Sequence, residues 1–171
     1  LDERADAFAL TALRQALKAG RADEIVGAYD RRVGLLAEFA TDNPPFVELV
    51  TDGLQLALAL RAVGREREAD ALLDRADAAI RQSFSHGAVP NWVYAAASSI
   101  WAAQGRKEQA LAALATAVDR GWHYAPPTPL PDMGDIPSFA SLRGDPRFER
   151  LRQQLKDHLQ QERRKLGPIP I

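Results

Sequence analysis

The apolar positions of this chain recur three and four residues apart, the spacing that places them on one face of a helix. Near the start, Ala5, Phe8, Ala9, Ala12, Leu13 and Ala16 form one stripe. Ala69, Leu72, Leu73, Ala76 and Ile80 form a second, and Ala110, Leu111, Leu114, Ala117 and Val118 a third in the same register. A fourth, Phe148, Leu151, Leu155 and Leu159, follows Asp145-Pro146. That pair joins an N-cap acceptor to a proline suited to the first helical position. Charged and Gln residues surround this last stripe, as a terminal capping helix requires. Small alanines alternating with larger leucines let neighbouring helices approach closely and interdigitate.

Breakers divide these stripes into units. Prolines stand at Pro44-Pro45, Pro90, in a cluster from Pro126 to Pro137, at Pro146, and at Pro168 and Pro170. The proline-free blocks 1–43, 46–89 and 91–125 are each too long for one average helix of about 11–12 residues and suit a two-helix hairpin. Each block carries its own turn. Gly20-Arg21, Gly64-Arg65 and Gly105-Arg106 all open the pattern Gly-Arg-x-x-(Glu/Gln)-(Ala/Ile). A glycine just past a helix end adopts the left-handed conformation without steric penalty. The acidic residues after it complement the dipole of the next helix. Recurrence of this kind predicts stacked hairpins in series.

The organisation expected is therefore 1–43 as a first, atypical hairpin, 44–89 and 90–121 as two further hairpins, 122–145 as a proline-rich strap, and 146–171 as a capping helix and tail. All belong to one all-α domain. Gly27 and Gly34 interrupt the second helix of the first hairpin, each costing about 1 kcal/mol relative to alanine. Gly121-Trp122 reads as a helix stop, with Trp122 closing back on the turn at Ala117. Trp122, Tyr124, Met133, Ile136 and Phe139 are the apolar anchors that would pin the strap to the array.

Composition supports this reading. By count 31 residues are Ala and 21 are Leu, strong helix formers, in a chain of 171 residues with 46% hydrophobic and 26% charged content. The net charge of −1 lacks the basic surplus of a nucleic-acid footprint. Without cysteine, disulfides, thiolate nucleophiles and cysteine metal sites are excluded, although the compartment is not identified. Leu1 in place of methionine points to a domain cut from a longer chain or to a processed one. The longest stretch free of charged residues, Gln82 to Gly105, is interrupted by His86, Gly87, Pro90 and Asn91, and the continuous run it leaves, Trp92–Ala103, is too short to span a bilayer.

Candidate chemistry is sparse. His86, His123 and His158 lie in no metal-ligand spacing. Asp70, Asp74 and Asp77 share a helical edge but mix with Arg67, Arg75 and Arg81, so a solvated outer face is expected. Ser83 and Ser85 lack any nucleophile elbow. Arg163-Arg164-Lys165 sits where cations complement a helix C-terminus. No catalytic residue, metal or cofactor is expected, and no nucleic-acid contact through this domain.

Block three, from Asn91 to about Trp122, resembles a tetratricopeptide repeat. Tyr94 falls at the family's large aromatic, Ala97-Ser98 at its Leu-Gly pair and Trp101 at its Tyr. Ala110, Leu114 and Ala117 match the pattern after the turn. Block two matches through Leu56-Ala57, Leu60, Gly64, Ala69, Leu73 and Ala76, with Gly53 where an aromatic is usual. Block one matches through Ala12, Leu13, Ala16, Gly20, Ile25 and Tyr29. The blocks exceed the family's roughly 34-residue repeat, so helices or loops carry insertions.

The resemblance implies an α-α superhelix of about three hairpins with a C-terminal capping helix, whose first helices line a partner-binding groove. Those groove positions are Leu10, Arg14 and Lys18, then Leu54, Gln55, Leu58 and Arg61, then Asn91, Trp92 and Ser99, with Ala95 and Ala102 between them. Equally, Leu10, Leu54 and Leu58 can pack between repeats. Arg14, Lys18 and Arg61 would favour an acidic peptide or a carboxylate terminus, and Trp92 would stack on an apolar or proline side chain. Trp92 and Ala96 stand where the chaperone-binding subfamily's clamp needs Lys and Arg, which argues against a heat-shock-protein tail. The run Leu142 to Phe148 resembles the closing segment of bacterial arrays that follow winged-helix, kinase or cyclase domains. The expected function is a non-catalytic domain binding a protein or peptide. The alternative is a regulatory or self-association domain of a larger signalling chain, with a homodimer as its signature.

Overall fold

In the computed structural model, residues 15–32, 39, 41, 46–122 and 132–166 are described. The chain divides into two compact units, Leu1–Ala88 and Val89–Ile171. Among the described residues every regular element is helical: α1 (Ala22–Asp30), α2 (Phe46–Ala62), α3 (Glu66–Ser85), α4 (Asn91–Ala103), α5 (Lys107–Asp119) and α6 (Pro146–Leu166), with 3-10 helices at Met133–Asp135 and Pro137–Leu142.

The glycine turns share one geometry. Gly20, Gly64, Gly105 and Gly121 all have φ between 72° and 79°. After each, the next backbone N–H reaches a carbonyl five residues back: Arg21 to Ala16, Arg65 to Leu60, Arg106 to Trp101 and Trp122 to Ala117, each at 2.8 Å. The glycine N–H meanwhile donates to the carbonyl three residues back, so the turn satisfies two carbonyls the helix end would otherwise leave exposed. Trp122 thus closes on Ala117 as its position after Gly121 predicts.

The arginine after the glycine has a role that dipole reasoning alone does not reveal. Arg21 and Arg65 occupy N-cap positions without a side-chain cap. Their guanidinium groups reach the acid three residues on. Arg21 Nη1 lies 3.0 Å from Glu24, and Arg65 donates to both oxygens of Glu68 at 2.6 Å. Arg65 also donates to both oxygens of Asp30 at 2.8 Å, tying the end of α1 to the start of α3. The Arg65–Glu68 hydrogen bonds hold the Glu68 carboxyl below its ordinary range, against the opposing charge of Asp30.

In the first unit α2 packs against both α1 and α3. Gly53 stands where the repeat pattern expects an aromatic side chain, and Phe39 supplies the ring. A Cβ on Gly53 would lie 3.4 Å from Phe39 Cε1, and Phe39 is fully buried. Arg75 on α3 fastens this segment by donating to the carbonyls of Phe39 and Thr41 at 3.1 and 2.6 Å. In the first hairpin α1 runs through Gly27 without a break and ends at Asp30, followed by a turn in which Arg32 has φ 54°. Gly34 lies outside the described residues.

In the second unit α4 and α5 form an antiparallel hairpin. Ser98 Oγ donates to the Ala110 carbonyl at 2.8 Å, and both residues are wholly buried. At the other end Asn91 Nδ2 donates to the Arg120 carbonyl at 3.2 Å, and the Arg120 guanidinium lies 4.7 Å from the Tyr94 ring centroid. The described part of the strap, from Asp132, is packed. Met133, Phe139 and Leu142 join Leu111, Leu114 and Phe148 in one core, with Trp122 and Ile136 packed against it. Tyr124 lies outside the described residues. Asp145 caps α6 by accepting from the Arg147 backbone N–H at 2.8 Å.

Candidate functional site

The positions assigned to partner contact fall into two stripes, one in each unit. Leu10 and Arg14 lie outside the described residues. Lys18 is exposed just before the Gly20 turn. On α2, Leu58 and Arg61 are half-buried, whereas Leu54 is only 4% and Gln55 only 6% exposed. With α1 on one side and α3 on the other, α2 buries most of its circumference, polar Asp52 included. Leu54 therefore serves as packing. The Arg61 guanidinium is already engaged: Nη2 lies 2.6 Å from Asp70 Oδ1, and Nε lies 3.7 Å from Glu66. An acidic partner meeting Arg61 must compete with these carboxylates, so exposed Lys18 is the more available cation of the pair.

On α4 the stripe Trp92, Ala95, Ser99, Ala102 follows helical spacing along one face. Ala95 and Ala102 are buried and Ser99 is half-buried. Asn91 is half-buried and committed to closing the hairpin through Arg120. Trp92, at the N-terminal end, leaves 37% of its surface exposed. Of this stripe the Trp92 indole is the exposed part, while Ala102 packs into the core with Met133, Phe139 and Leu142.

Asp70 and Asp74 are exposed, as expected for a solvated face. Asp77 departs from that expectation: it is 7% exposed and accepts from Arg81 Nε at 3.0 Å. Its position next to the inward Ala76 draws it beneath the surface, and the arginine one turn on makes this tolerable. His86 caps the end of α3, with Nδ1 2.7 Å from the Gln82 carbonyl. His158 is exposed, and His123 lies outside the described residues. Among the described residues no group of three His, Cys, Asp or Glu side chains is placed to hold a metal ion.

A cluster of ion pairs fastens the strap to α6. Asp132 accepts from Arg152 Nε and Nη2, from Lys156 Nζ at 2.6 Å and from the Gly134 N–H at 3.0 Å. The Arg152 hydrogen bonds, followed by Lys156 and the Gly134 N–H, hold the Asp132 carboxyl well below the ordinary carboxylate range despite its partial burial. A depressed carboxylate stabilises the fold fully above its unfolded value, near about 3.9, and loses that contribution as pH falls towards its folded value. The stability gap between wild type and Asp132→Asn is therefore expected to be largest at neutral pH and to shrink by pH 3. Urea titrations at both pH values measure it, and an equal gap at both would show that the ion pairs add no pH-dependent stability.

The described elements define an all-α protein built of helical hairpins. No protein-family model matches the chain, and no curated protein or solved structure matches it. Among the described residues no helix is long and apolar enough to cross a membrane.

Proposed function

We propose that this chain is a non-catalytic, tetratricopeptide-like interaction domain that binds a protein or peptide segment along the exposed faces of its first helices. The observation that carries this reading is Trp92, a large aromatic left 37% exposed on the first helix of the best-matching hairpin. Tryptophan is the residue most enriched where partners dock, because its ring supplies a large apolar contact with few side-chain torsions to freeze. Beyond it on α4, Ala95 and Ala102 are buried and Ser99 is half-buried, so the partner contact centres on the indole. In the first unit Lys18 and half-buried Leu58 provide a cationic and an apolar contact of the same kind. The matching glycine turns and the close Ser98–Ala110 contact support the repeat-like character of the hairpins.

Selection from a displayed library of random dodecapeptides tests this. Wild type is expected to enrich peptides carrying an apolar or proline residue, and Trp92→Ala is expected to weaken the enriched peptides at least about tenfold, a loss of about 1.4 kcal/mol, with unchanged circular dichroism and monomer mass. No enrichment, or equal binding by the variant, would contradict the proposal.

A further inference from the structure

A second surface lies within the second unit, on other helices than the Trp92 stripe. Between α5 and α6 runs an open groove of about 370 Å³. Its floor is apolar: Leu111 and Leu151 are buried beneath it, while Ala112 is exposed and Ala115 half-buried. Two alanines at this position make a short ridge, so the neighbouring helix side chains rise above an unfilled trough. Along α6 the edge is formed by Arg147, Arg150 and Gln154, residues spaced by one helical turn. The groove follows about two turns of each helix, a length of roughly 10 Å at 1.5 Å rise per residue.

Charge selects the occupant. At one end Arg147 grips Glu108 with two parallel bonds of 2.6 and 2.8 Å. Arg147 also bonds Asp145, so its charge is fully matched. Arg150, one turn further on, is exposed and has no carboxylate or hydrogen-bond partner among the described residues. The rim is therefore positive at Arg150 and apolar between the helices. A carboxylate is welcomed there and a second cation is repelled. We propose that this groove docks one face of an amphipathic helix from another protein, its large apolar side chain seated on Ala112 and Ala115 and a carboxylate one turn away on Arg150. The mode is helix-in-groove recognition, in which a narrow apolar stripe supplies contact and the flanking charge sets register.

The test uses the full chain, labelled with ¹⁵N, and two synthetic helical probes. Both are 16-residue Ala/Gln peptides with Leu at i, i+3 and i+7, and they differ only in carrying Glu or Lys at i+4. The Glu probe is expected to bind saturably, with amide shifts confined to Leu111–Ala115 and Arg147–Gln154. Arg150→Glu is expected to weaken the Glu probe by roughly fivefold and to strengthen the Lys probe by a similar factor. Ala112→Leu, which fills the trough, should abolish both with unchanged circular dichroism. Trp92→Ala should leave the Glu probe's affinity unaltered, which separates this site from the first-helix stripe. Absence of saturable binding, shifts elsewhere, or affinities indifferent to Arg150→Glu would overturn the proposal. Concentration-dependent shifts of the same amides without peptide would overturn it too, in favour of a second copy of this chain as the occupant.

Discussion

Replacing Phe148 by alanine lowers the free energy of unfolding by about 3–5 kcal/mol, the range for deleting a wholly buried phenylalanine ring. Phe148 lies on the first turns of α6 and is completely withdrawn from solvent. Its ring stands 5.7 Å from that of Phe139, tilted by 59°, an arrangement that adds edge-to-face attraction to burial. Met133 and Leu142 share the same core, so one ring holds together the capping helix, the strap and the α4–α5 hairpin. The vacated space cannot collapse easily, because Asp132–Arg152 and Asp145–Arg147 fix the strap and the helix start around it. Urea denaturation of Phe148→Ala beside Leu159→Ala, whose side chain is only half-buried, gives the comparison. A loss at Phe148 no larger than that at Leu159 would contradict the packing of α6 on this core.

Ala110→Trp is the second large effect, in the opposite sense of volume. Ala110 is fully buried where α5 meets α4, and its carbonyl accepts the Ser98 hydroxyl at 2.8 Å. Helices meeting at small residues sit near the close end of the usual 8–10 Å range, which leaves no room for an indole. Overpacking costs about 1–3 kcal/mol, and displacement of the Ser98 hydroxyl adds about 1 kcal/mol for the broken bond. Ala112→Trp is the control: it lies two residues away on the same helix but is exposed. Thermal denaturation should show a much lower midpoint for Ala110→Trp and little change for Ala112→Trp. Similar midpoints would show that α4 and α5 are not closely packed at Ala110.

These sites also mark what the sequence makes legible. The turns can be read because a glycine in a left-handed conformation has few substitutes, and Gly20, Gly64 and Gly105 are each followed by arginine, with Glu24, Glu68 or Gln109 three residues beyond it. The start of α6 could be read because Asp145-Pro146 combines two local devices, neither of which needs tertiary context. Leu54, Gln55 and Asp77 were harder, because burial there comes from neighbouring helices. When α2 is packed on two sides, its periodicity no longer separates an inner from an outer face, so polar positions can be drawn inside. Phe39 lay beyond any local rule: it fills the space beside Gly53 from a different part of the chain. The Arg65 pairing with Asp30 joins residues 35 apart and carries no periodic signature. At Trp92 the resemblance to the repeat proposes a contact position, and the structure adds that its indole is 37% exposed while Ala95 and Ala102 are buried.

The α5–α6 groove is where a short residue and an uncommitted charge coincide. Neither Ala112 nor Arg150 stands out in a helical pattern, since alanine fits any face and arginine any surface. Only the geometry brings them to one trough and shows that Arg147, but not Arg150, has its charge matched.

The most direct measurement of the central claim is a ¹H–¹⁵N titration of the labelled chain with a peptide enriched by wild-type selection. The account predicts saturable shifts at the Trp92 indole N–H and along the α4 backbone from Trp92 to Ser99. A tightly bound peptide that leaves the indole and this stretch unmoved would contradict it.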